Sequence, residues 1–124
     1  MDKEVILKKC DNCKALVKVL KDCNCNDCSF ICCSKPMTSE IANSSDASKE
    51  KHLPEYKIID NKIYVVVNHV MEEEHHIEWI SYVTENNENI IYVKEKAEAT
   101  FDYISKGYIY AYCNKHGLWK VEVK

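Results

Sequence analysis

Cys113 and His116 place a thiol and an imidazole three residues apart, on a short turn between two β-like runs. Side chains at this spacing can contact one metal ion together, and thiolate and imidazole are both common ligands of transition metals. The other four of the five histidines lie upstream, in or beside strand-like segments: His52, His69, His75 and His76. This pattern predicts a metal site that most of the C-terminal two-thirds of the chain folds to hold.

Each upstream histidine also has an ordinary interpretation when it is taken alone. His69 ends a strand-like run and would suit a surface position, and His52 lies in a charged segment. His75 and His76 are adjacent, so in an extended chain their side chains point to opposite faces and at most one would bind a shared ion. Taken together, four imidazoles and one thiolate form a coherent ligand set that suits iron, copper or zinc. Our interpretation is a mononuclear non-haem iron site.

A blue-copper site is the alternative for a Cys-x-x-His pair on a β-sandwich. Such a site also uses an upstream histidine and a weak methionine ligand beyond the second histidine. Residue 118 is Leu, no methionine follows Cys113, and Met71 lies in a different part of the chain. Copper electron transfer is therefore the less favoured interpretation.

Seven of the eight cysteines lie within residues 1–37. Cys10-x-x-Cys13 is a knuckle, in which two thiolates on a tight turn face the same ion. Either of two cysteine pairs could complete a four-thiolate site. Cys25-x-x-Cys28 has the spacing of a zinc ribbon, and Cys32-Cys33 is an adjacent pair of the kind that some iron sites use. Spacing alone leaves both open, and the remaining cysteines would be ordinary thiols.

The composition favours a reducing setting without membrane or nucleic acid. The start of the chain is charged and shows no signal peptide or transmembrane run, so we expect a cytoplasmic protein with no membrane partner. There, cysteines serve as metal ligands or redox groups rather than as a disulfide framework. All seventeen basic residues are lysine, and the formal net charge is −3. A base-reading surface relies on arginine and a basic balance, so no nucleic-acid partner is expected.

The hydrophobic pattern divides the chain into three parts. Residues 1–37 bury too little apolar surface to fold without a metal, residues 38–49 are a polar, Ser-rich linker, and residues 50–124 form the larger domain. Seven runs of the larger domain are β-like and are separated by turn residues: 56–59, 62–68, 76–84, 89–93, 99–104, 108–113 and 118–123. We therefore predict an all-β protein whose larger domain is a seven-stranded antiparallel immunoglobulin-like β-sandwich.

Four motifs of the larger domain resemble those of the superoxide reductases. They are Glu50-Lys51-His52-Leu53-Pro54, His69-Val70-Met71-Glu72-Glu73, His75-His76-Ile77-Glu78-Trp79-Ile80 and Tyr112-Cys113-Asn114-Lys115-His116-Gly117. The N-terminal knuckle with Cys32-Cys33-Ser34-Lys35-Pro36-Met37 is similar to the desulforedoxin-like module that opens the two-iron desulfoferrodoxins. The resemblance covers nearly the whole chain.

The resemblance implies two mononuclear iron ions per chain. One would be held by an axial thiolate, Cys113, and by four equatorial imidazoles: His52, His69, His75 and His116. The other would be held by Cys10, Cys13, Cys32 and Cys33, which favours the adjacent cysteine pair over Cys25-x-x-Cys28. Glu50 and Lys51 match the family's loop residues near the open iron position, and they are the implied catalytic residues.

The implied function is the one-electron reduction of superoxide to hydrogen peroxide. Lys51 would attract the anion and help to deliver protons, and Glu50 would occupy the sixth position of oxidised iron. A rubredoxin-like donor would return the iron to the ferrous state, and a homodimer is the family expectation. One alternative is a non-enzymatic iron-binding electron carrier. The other is a zinc-stapled interaction module, and that module would leave His52, His69 and His75 without a role.

Three features depart from the family's usual pattern. Val70 stands where proline is common, and His76 stands where an aromatic residue is common. Cys23-Asn24-Cys25-Asn26-Asp27-Cys28 adds three thiols that the usual pattern lacks. The added thiols leave room for an altered or competing metal in the N-terminal module.

Overall fold

The computed structural model describes residues 5–26, 28–45, 47 and 49–124, and for Glu50 it describes the backbone alone. Within these ranges the chain forms strands and one 3-10 turn, Lys49–Lys51, and no α-helix, which confirms the all-β prediction. Among the described residues, those from Val5 to Ile41 form one compact unit and those from Ala42 to Lys124 form another. The described residues contain no helix with the length and apolar character needed to cross a membrane.

The N-terminal unit contains five short strands. They are β1 (Leu7–Lys9), β2 (Leu16–Lys18), β3 (Ile31–Cys32), β4 (Lys35–Pro36) and β5 (Thr38–Glu40). β1 is the centre of an antiparallel sheet with the order β2-β1-β5, and β3 and β4 form a separate hairpin. Among its described residues the buried apolar ones are Leu7 and Cys10, which is a very small core, so a cross-link or a metal must supply much of the folding free energy.

The N-terminal unit extends further along the chain than the sequence indicated. The pattern predicted a linker from residue 38, whereas Thr38–Glu40 pair with Leu7–Lys9 as β5. β5 is polar and has no buried apolar residue. Its sequence therefore lacks the hydrophobic alternation from which a strand can be predicted. A side-chain hydrogen bond accompanies the pairing of β1 with β5, in which Lys8 Nζ donates to Ser39 Oγ at 2.8 Å.

The described residues of the larger unit form seven strands. They are β6 (Pro54–Ile59), β7 (Lys62–Val67), β8 (Ile77–Val83), β9 (Glu88–Tyr92), β10 (Glu98–Asp102), β11 (Gly107–Cys113) and β12 (Gly117–Val123). Each predicted run overlaps one of them, and the bounds differ by two residues at most. The strands form two antiparallel sheets with the orders β10-β7-β6 and β12-β11-β8-β9.

The two sheets of the larger unit share one hydrophobic core. β7 alternates strictly between exposed and buried residues, and its buried side chains are Ile63, Val65 and Val67. They belong to one cluster with residues of the other sheet, including Ile80 and Tyr82. The period of two therefore places one face of each sheet inside, as in a sandwich. The functional side chains described below lie at or near the ends of these strands.

Gly107, the first residue of β11, lies against the backbone at the end of β8. A Cβ at this position would lie 2.1 Å from the Val83 carbonyl oxygen and 3.1 Å from Thr84 Cα. We therefore expect Gly107→Ala to lower the free energy of unfolding by about 2–3 kcal/mol, because the clash is with backbone rather than with a mobile side chain. Chemical denaturation of the metal-loaded protein measures this, with exposed Lys106→Ala as the neighbouring control. Equal midpoints for the two variants would contradict the expectation.

Candidate metal centres

Four segments of the larger unit bring their functional side chains to one place. His52 directly follows the 3-10 turn and donates its backbone N–H to the Lys49 carbonyl. His69 follows β7, and His75 lies just before β8. The remaining pair, Cys113 and His116, comes from the end of β11 and from the turn before β12.

The turn between β11 and β12 sets the spacing of the Cys-x-x-His pair. Cys113 pairs with Gly117, whose φ of 81° is in the left-handed region that glycine adopts without strain. The register with β8 also shifts between Tyr112 and Cys113, an irregularity that redirects the end of the strand. Both features turn the thiol and the imidazole toward the same point.

One donor atom from each of the five predicted ligands lies within 4.8 Å of the others: His52, His69, His75, Cys113 and His116. His52 Nε2 is 3.1 Å from His116 Nδ1, and Cys113 Sγ is 3.4 Å from His69 Nε2. Cys113 Sγ also lies 3.8 Å from His116 Nδ1. We call these five side chains the imidazole–thiolate cluster.

The hydrogen bonds around the imidazole–thiolate cluster leave nitrogen lone pairs for an ion. His69 Nδ1–H donates to the Val70 carbonyl at 2.6 Å, so Nε2 faces the cluster as an acceptor. His75 Nε2 is buried and has no hydrogen-bond partner within the described structure. A buried imidazole nitrogen without a partner is costly, and coordination of a metal would satisfy it. The donor set therefore fits a bound transition metal.

Burial also favours the neutral, metal-binding form of two imidazoles. Removal from water lowers the pKa of His69, although the Val70 carbonyl acts in the opposite direction. Removal from water also lowers the pKa of His75, and the neighbouring His116 and Lys115 side chains act in the same direction. Both rings are thus neutral at neutral pH, as a ligand must be.

The lowered pKa values give an expected pH dependence. Both rings take up protons only below the ordinary histidine pKa of 6.5, so the metal should stay bound from pH 8 to about 6.5. As the pH falls further, protonation should compete with coordination and the metal should be released. Metal analysis after gel filtration at stepped pH measures this, and loss already above pH 6.5 would contradict the assignment of the lowered pKa values.

Buried aromatic and backbone groups support the imidazole–thiolate cluster. The His52 ring stacks on the Trp119 indole with centroids 4.8 Å apart, and Trp119 is fully buried. Cys113 is also fully buried, and its sulfur accepts the backbone N–H of His116 at 3.3 Å. Such contacts fix ligand orientation and tune the electron density on sulfur.

Asn114 is a positioning residue that the sequence did not indicate. Its Oδ1 accepts the backbone N–H of His76 at 2.9 Å, and its Nδ2 donates to the Glu74 carbonyl at 2.9 Å. These bonds join the turn that carries Cys113 to the segment that carries His75. His76 itself lies outside the cluster, and its Nδ1–H donates to the Glu72 carbonyl at 2.8 Å. Of the two adjacent histidines only His75 faces the cluster, and it lies in a bend whose backbone N–H and carbonyl both bond with Glu72.

The two predicted catalytic residues lie in the 3-10 turn that leads to His52. Lys51 is exposed and ends the turn, directly before the first histidine of the cluster. The side chain of Glu50 lies outside the described part of the structure. The position of Lys51 places a mobile positive charge one residue from a cluster side chain.

A second cluster lies in the N-terminal unit. The sulfurs of Cys10, Cys13, Cys32 and Cys33 lie within 4.8 Å of one another, and we call them the four-thiolate cluster. Cys13 Sγ is 3.6 Å from Cys32 Sγ. The structure thus groups the adjacent cysteine pair, and not Cys25-x-x-Cys28, with the knuckle.

A tight turn explains how adjacent cysteines face one point. Cys33 and Ser34 connect β3 to β4, with φ values of 52° and 64°. Two residues with positive φ form the type I′ turn of a two-residue hairpin, which glycine or asparagine usually occupies. Left-handed backbone at Cys33 reorients its side chain relative to Cys32, so both sulfurs reach the cluster. No glycine or asparagine marks this turn in the sequence.

The thiols of the four-thiolate cluster cannot all be ionised together unless a cation is bound. The backbone N–H of Cys13 donates to Cys10 Sγ at 3.4 Å and lowers the pKa of Cys10 to about 6. The sulfurs of Cys10 and Cys13 beside Cys32 raise the pKa of that thiol to about 12. Four adjacent thiolates repel one another unless a metal ion neutralises them. The four-thiolate donor set therefore fits a metal.

The three added cysteines form a third group. Cys23 and Cys28 form a disulfide with a Cα–Cα distance of 6.2 Å, and Cys25 is a free, exposed thiol. The sequence predicted that the cysteines serve as metal ligands or redox groups rather than as a disulfide framework. The Cys23–Cys28 disulfide differs from that prediction. The three cysteines lie outside both the imidazole–thiolate and the four-thiolate clusters.

Comparison with known proteins identifies the family. The Desulfoferrodoxin family model matches residues 44–122. The chain belongs to the desulfoferrodoxin family. The desulfoferrodoxin of Clostridium acetobutylicum is 38% identical over 103 residues, covering 79% of this chain and 82% of the relative. That of Syntrophotalea carbinolica is 34% identical and covers 98% of this chain and 99% of the relative. The family resemblance predicted from the motifs is confirmed.

A solved structure shows the same fold as this desulfoferrodoxin. The superoxide reductase of Treponema pallidum matches with a TM-score of 0.74 and 24% identity, covering 96% of this chain and 99% of the other. The match includes both compact units. Within this family fold, the four-thiolate set and the set of four imidazoles and a thiolate fit two mononuclear iron ions.

Proposed function

We propose that this desulfoferrodoxin is a superoxide reductase, which converts one superoxide, one electron and two protons into hydrogen peroxide. The observation that carries the proposal is the imidazole–thiolate cluster, with its buried thiol and the unpartnered nitrogen of His75. Four neutral imidazoles and one thiolate form a set of five donors, which leaves one position of a six-coordinate ion for a small substrate. Membership of the desulfoferrodoxin family supports the same conclusion.

We assign the iron ligands residue by residue. The catalytic ion is held by His52, His69, His75, His116 and Cys113, and it supplies the electron for superoxide when bound. The second ion is held by Cys10, Cys13, Cys32 and Cys33. A rubredoxin-like protein returns the electron, and the protein acts as a homodimer in this proposal. The functional parts in this proposal are the N-terminal module, which includes β5 and ends at Ile41, and the catalytic domain of residues 50–124.

The residues of the chain prepare the site for an anion. Cys113 is buried away from water, where its thiolate would donate electron density to a bound metal undisturbed by solvent. Lys51 is exposed, so its ammonium can attract superoxide from solution and hold a proton near the cluster. We assign to Glu50 the role of a carboxylate that would bind the oxidised metal in place of substrate.

The stoichiometry of peroxide tests the proposed function directly. With the iron pre-reduced and a reductant present, each superoxide consumed should give one hydrogen peroxide. Dismutation would give about half as much, since one of its two superoxides becomes oxygen. A non-enzymatic electron carrier would leave the decay of superoxide at its spontaneous rate. Pulse radiolysis with peroxide assay separates the three outcomes, and either of the last two would refute the proposal.

Lys51→Ala should slow the second-order reaction with superoxide by roughly tenfold, because a positive charge that steers the anion is lost. The rate should also depend less on ionic strength, since salt screens the same attraction. Lys49→Ala removes an equal charge from the same exposed turn and is the matched control. Equal rates for the two variants would show that Lys51 contributes only to the overall charge.

A further inference from the structure

The added cysteines form a compact thiol site that the two metal clusters do not use. The sulfurs of Cys23, Cys25 and Cys28 lie within 4.8 Å of one another. Two of them are joined as a disulfide, and the third is free and exposed beside it. Because a third thiol lies within reach, the disulfide can exchange its partner inside the loop. We call residues 22–26 together with Cys28 the thiol loop.

The surroundings of the thiol loop distinguish its cysteines. Asp22 Oδ1 lies 3.5 Å from Cys23 Sγ and accepts the backbone N–H of Cys23 at 2.9 Å. A carboxylate beside sulfur opposes formation of a thiolate at Cys23. Cys23 and Cys28 both line a small cavity with Lys8 and Asp22, so the positive charge of Lys8 is common to the two sulfurs, whereas the carboxylate contact at 3.5 Å belongs to Cys23. Cys28 is therefore the better nucleophile of the bonded pair.

The cavity beside the disulfide admits a small oxidant. Its volume is about 90 Å³, and its lining includes both bonded cysteines together with Lys8 and Met37. A water molecule occupies about 30 Å³ in the liquid, so a molecule of the size of hydrogen peroxide fits. The cavity thus gives a polar small molecule access to the sulfur of Cys28.

We propose that the thiol loop is a thiol–disulfide redox site, in which Cys28 pairs with Cys23 or Cys25, with hydrogen peroxide as oxidant and a dithiol as reductant. This redox site goes beyond the proposed function. It rests on the proposed function only for a source of hydrogen peroxide. It assigns the three added thiols to two-electron chemistry that is separate from both iron ions.

The chemistry balances without the metal. The Cys28 thiolate attacks one peroxide oxygen, the O–O bond breaks, and hydroxide leaves and takes a proton to become water. The sulfur of Cys23 or Cys25 then displaces the second oxygen from the Cys28 sulfenic acid as water, forming the disulfide. Two thiols and one hydrogen peroxide thus give one disulfide and two waters. A dithiol reverses the change by exchange and leaves as its own disulfide.

Cleavage before aspartate makes the test specific. Cleavage before Asp22, Asp27 and Asp46 places Cys23 and Cys25 in a peptide of residues 22–26, and Cys28 in a peptide of residues 27–45 that also carries Cys32 and Cys33, so fragmentation of the joined peptides identifies the bonded cysteine. The protein carries both irons, already oxidised, and its loop is reduced with a dithiol that is then removed. It receives one equivalent of hydrogen peroxide, is alkylated and is cleaved. Mass spectrometry then shows whether the two peptides are joined, and an alkylation count gives the free loop thiols.

We expect the wild type to lose two of its three loop thiols and to join the two peptides. Cys25→Ser should still join them through Cys23, and Cys23→Ser should join them through Cys25. Cys28→Ser should leave them separate, because a single residue between Cys23 and Cys25 makes ring closure unfavourable. The visible spectrum of the four-thiolate centre should be unchanged throughout.

Three outcomes would overturn the proposal. One is that the loop thiols stay free after peroxide, and another is that Cys28→Ser oxidises as completely as the wild type. The third is a further metal ion, beyond the two irons, that the reduced protein retains and that protects all three thiols. Since peroxide is added directly, a failure here is independent of whether the protein reduces superoxide.

Discussion

Cys113→Ser should abolish turnover of superoxide while leaving the N-terminal centre intact. Cys113 is the sole sulfur in the imidazole–thiolate cluster, and its side chain is fully buried. Serine keeps the size of the side chain, but its hydroxyl is neutral at pH 7 and is a poor donor to iron. The sulfur-to-iron charge-transfer band of the oxidised centre should therefore disappear. Loss of groups that merely orient a metal ligand costs roughly 10–100-fold in activity or metal affinity, so loss of a ligand should cost more.

Iron analysis beside the activity assay separates two causes of this loss. If the variant retains the ion, the missing electron density from sulfur accounts for the fall in rate. If the ion is absent, the thiolate is needed for binding. Cys25→Ser makes the same change of thiol to hydroxyl at a cysteine outside both clusters, and it should leave band and activity unchanged. A Cys113→Ser protein with both the visible band and full activity would remove Cys113 from the ligand set and refute the proposed function.

The strands and the donor types were predictable from the sequence because both leave strong local signals. The alternation of β7 identifies its inner face, with Ile63, Val65 and Val67 buried. Histidine is rare in the chain, so its grouping with Cys113 was informative. The distances within the imidazole–thiolate cluster then follow from where the strands end, since a side chain of the cluster lies within two residues of one end of β7, β8 and β11.

The features that the sequence could not supply depend on backbone conformation and on polar contacts. The left-handed turn at Cys33 and Ser34 has no glycine to mark it, so spacing alone could not decide which cysteine pair completes the four-thiolate cluster. The polar strand β5 has no apolar alternation. Asn114 forms its bonds with a segment about 40 residues away, and pattern reading carries no information on such contacts.

The choice between the cysteine pairs gives the second large expected effect, on folding of the N-terminal unit. Replacing Cys32 or Cys33 by Ser should remove the rubredoxin-like spectrum, because each supplies one sulfur of the four-thiolate cluster. Among the described residues of this unit only Leu7 and Cys10 are buried and apolar, whereas a structural metal can contribute about 10 kcal/mol to folding.

Amide hydrogens of β1, which bonds to both β2 and β5, should therefore exchange much faster in the Cys32→Ser or Cys33→Ser variant, and hydrogen exchange read by mass spectrometry measures this. The larger unit is the internal reference, since its imidazole–thiolate cluster is independent of these thiols. Joint replacement of Cys25 and Cys28 by Ser is the matched control and should preserve both the spectrum and the protection of β1. The reverse pattern, with the spectrum lost in the control and kept without Cys32 or Cys33, would show that the ion uses the Cys-x-x-Cys pair and that the type I′ turn serves only the hairpin.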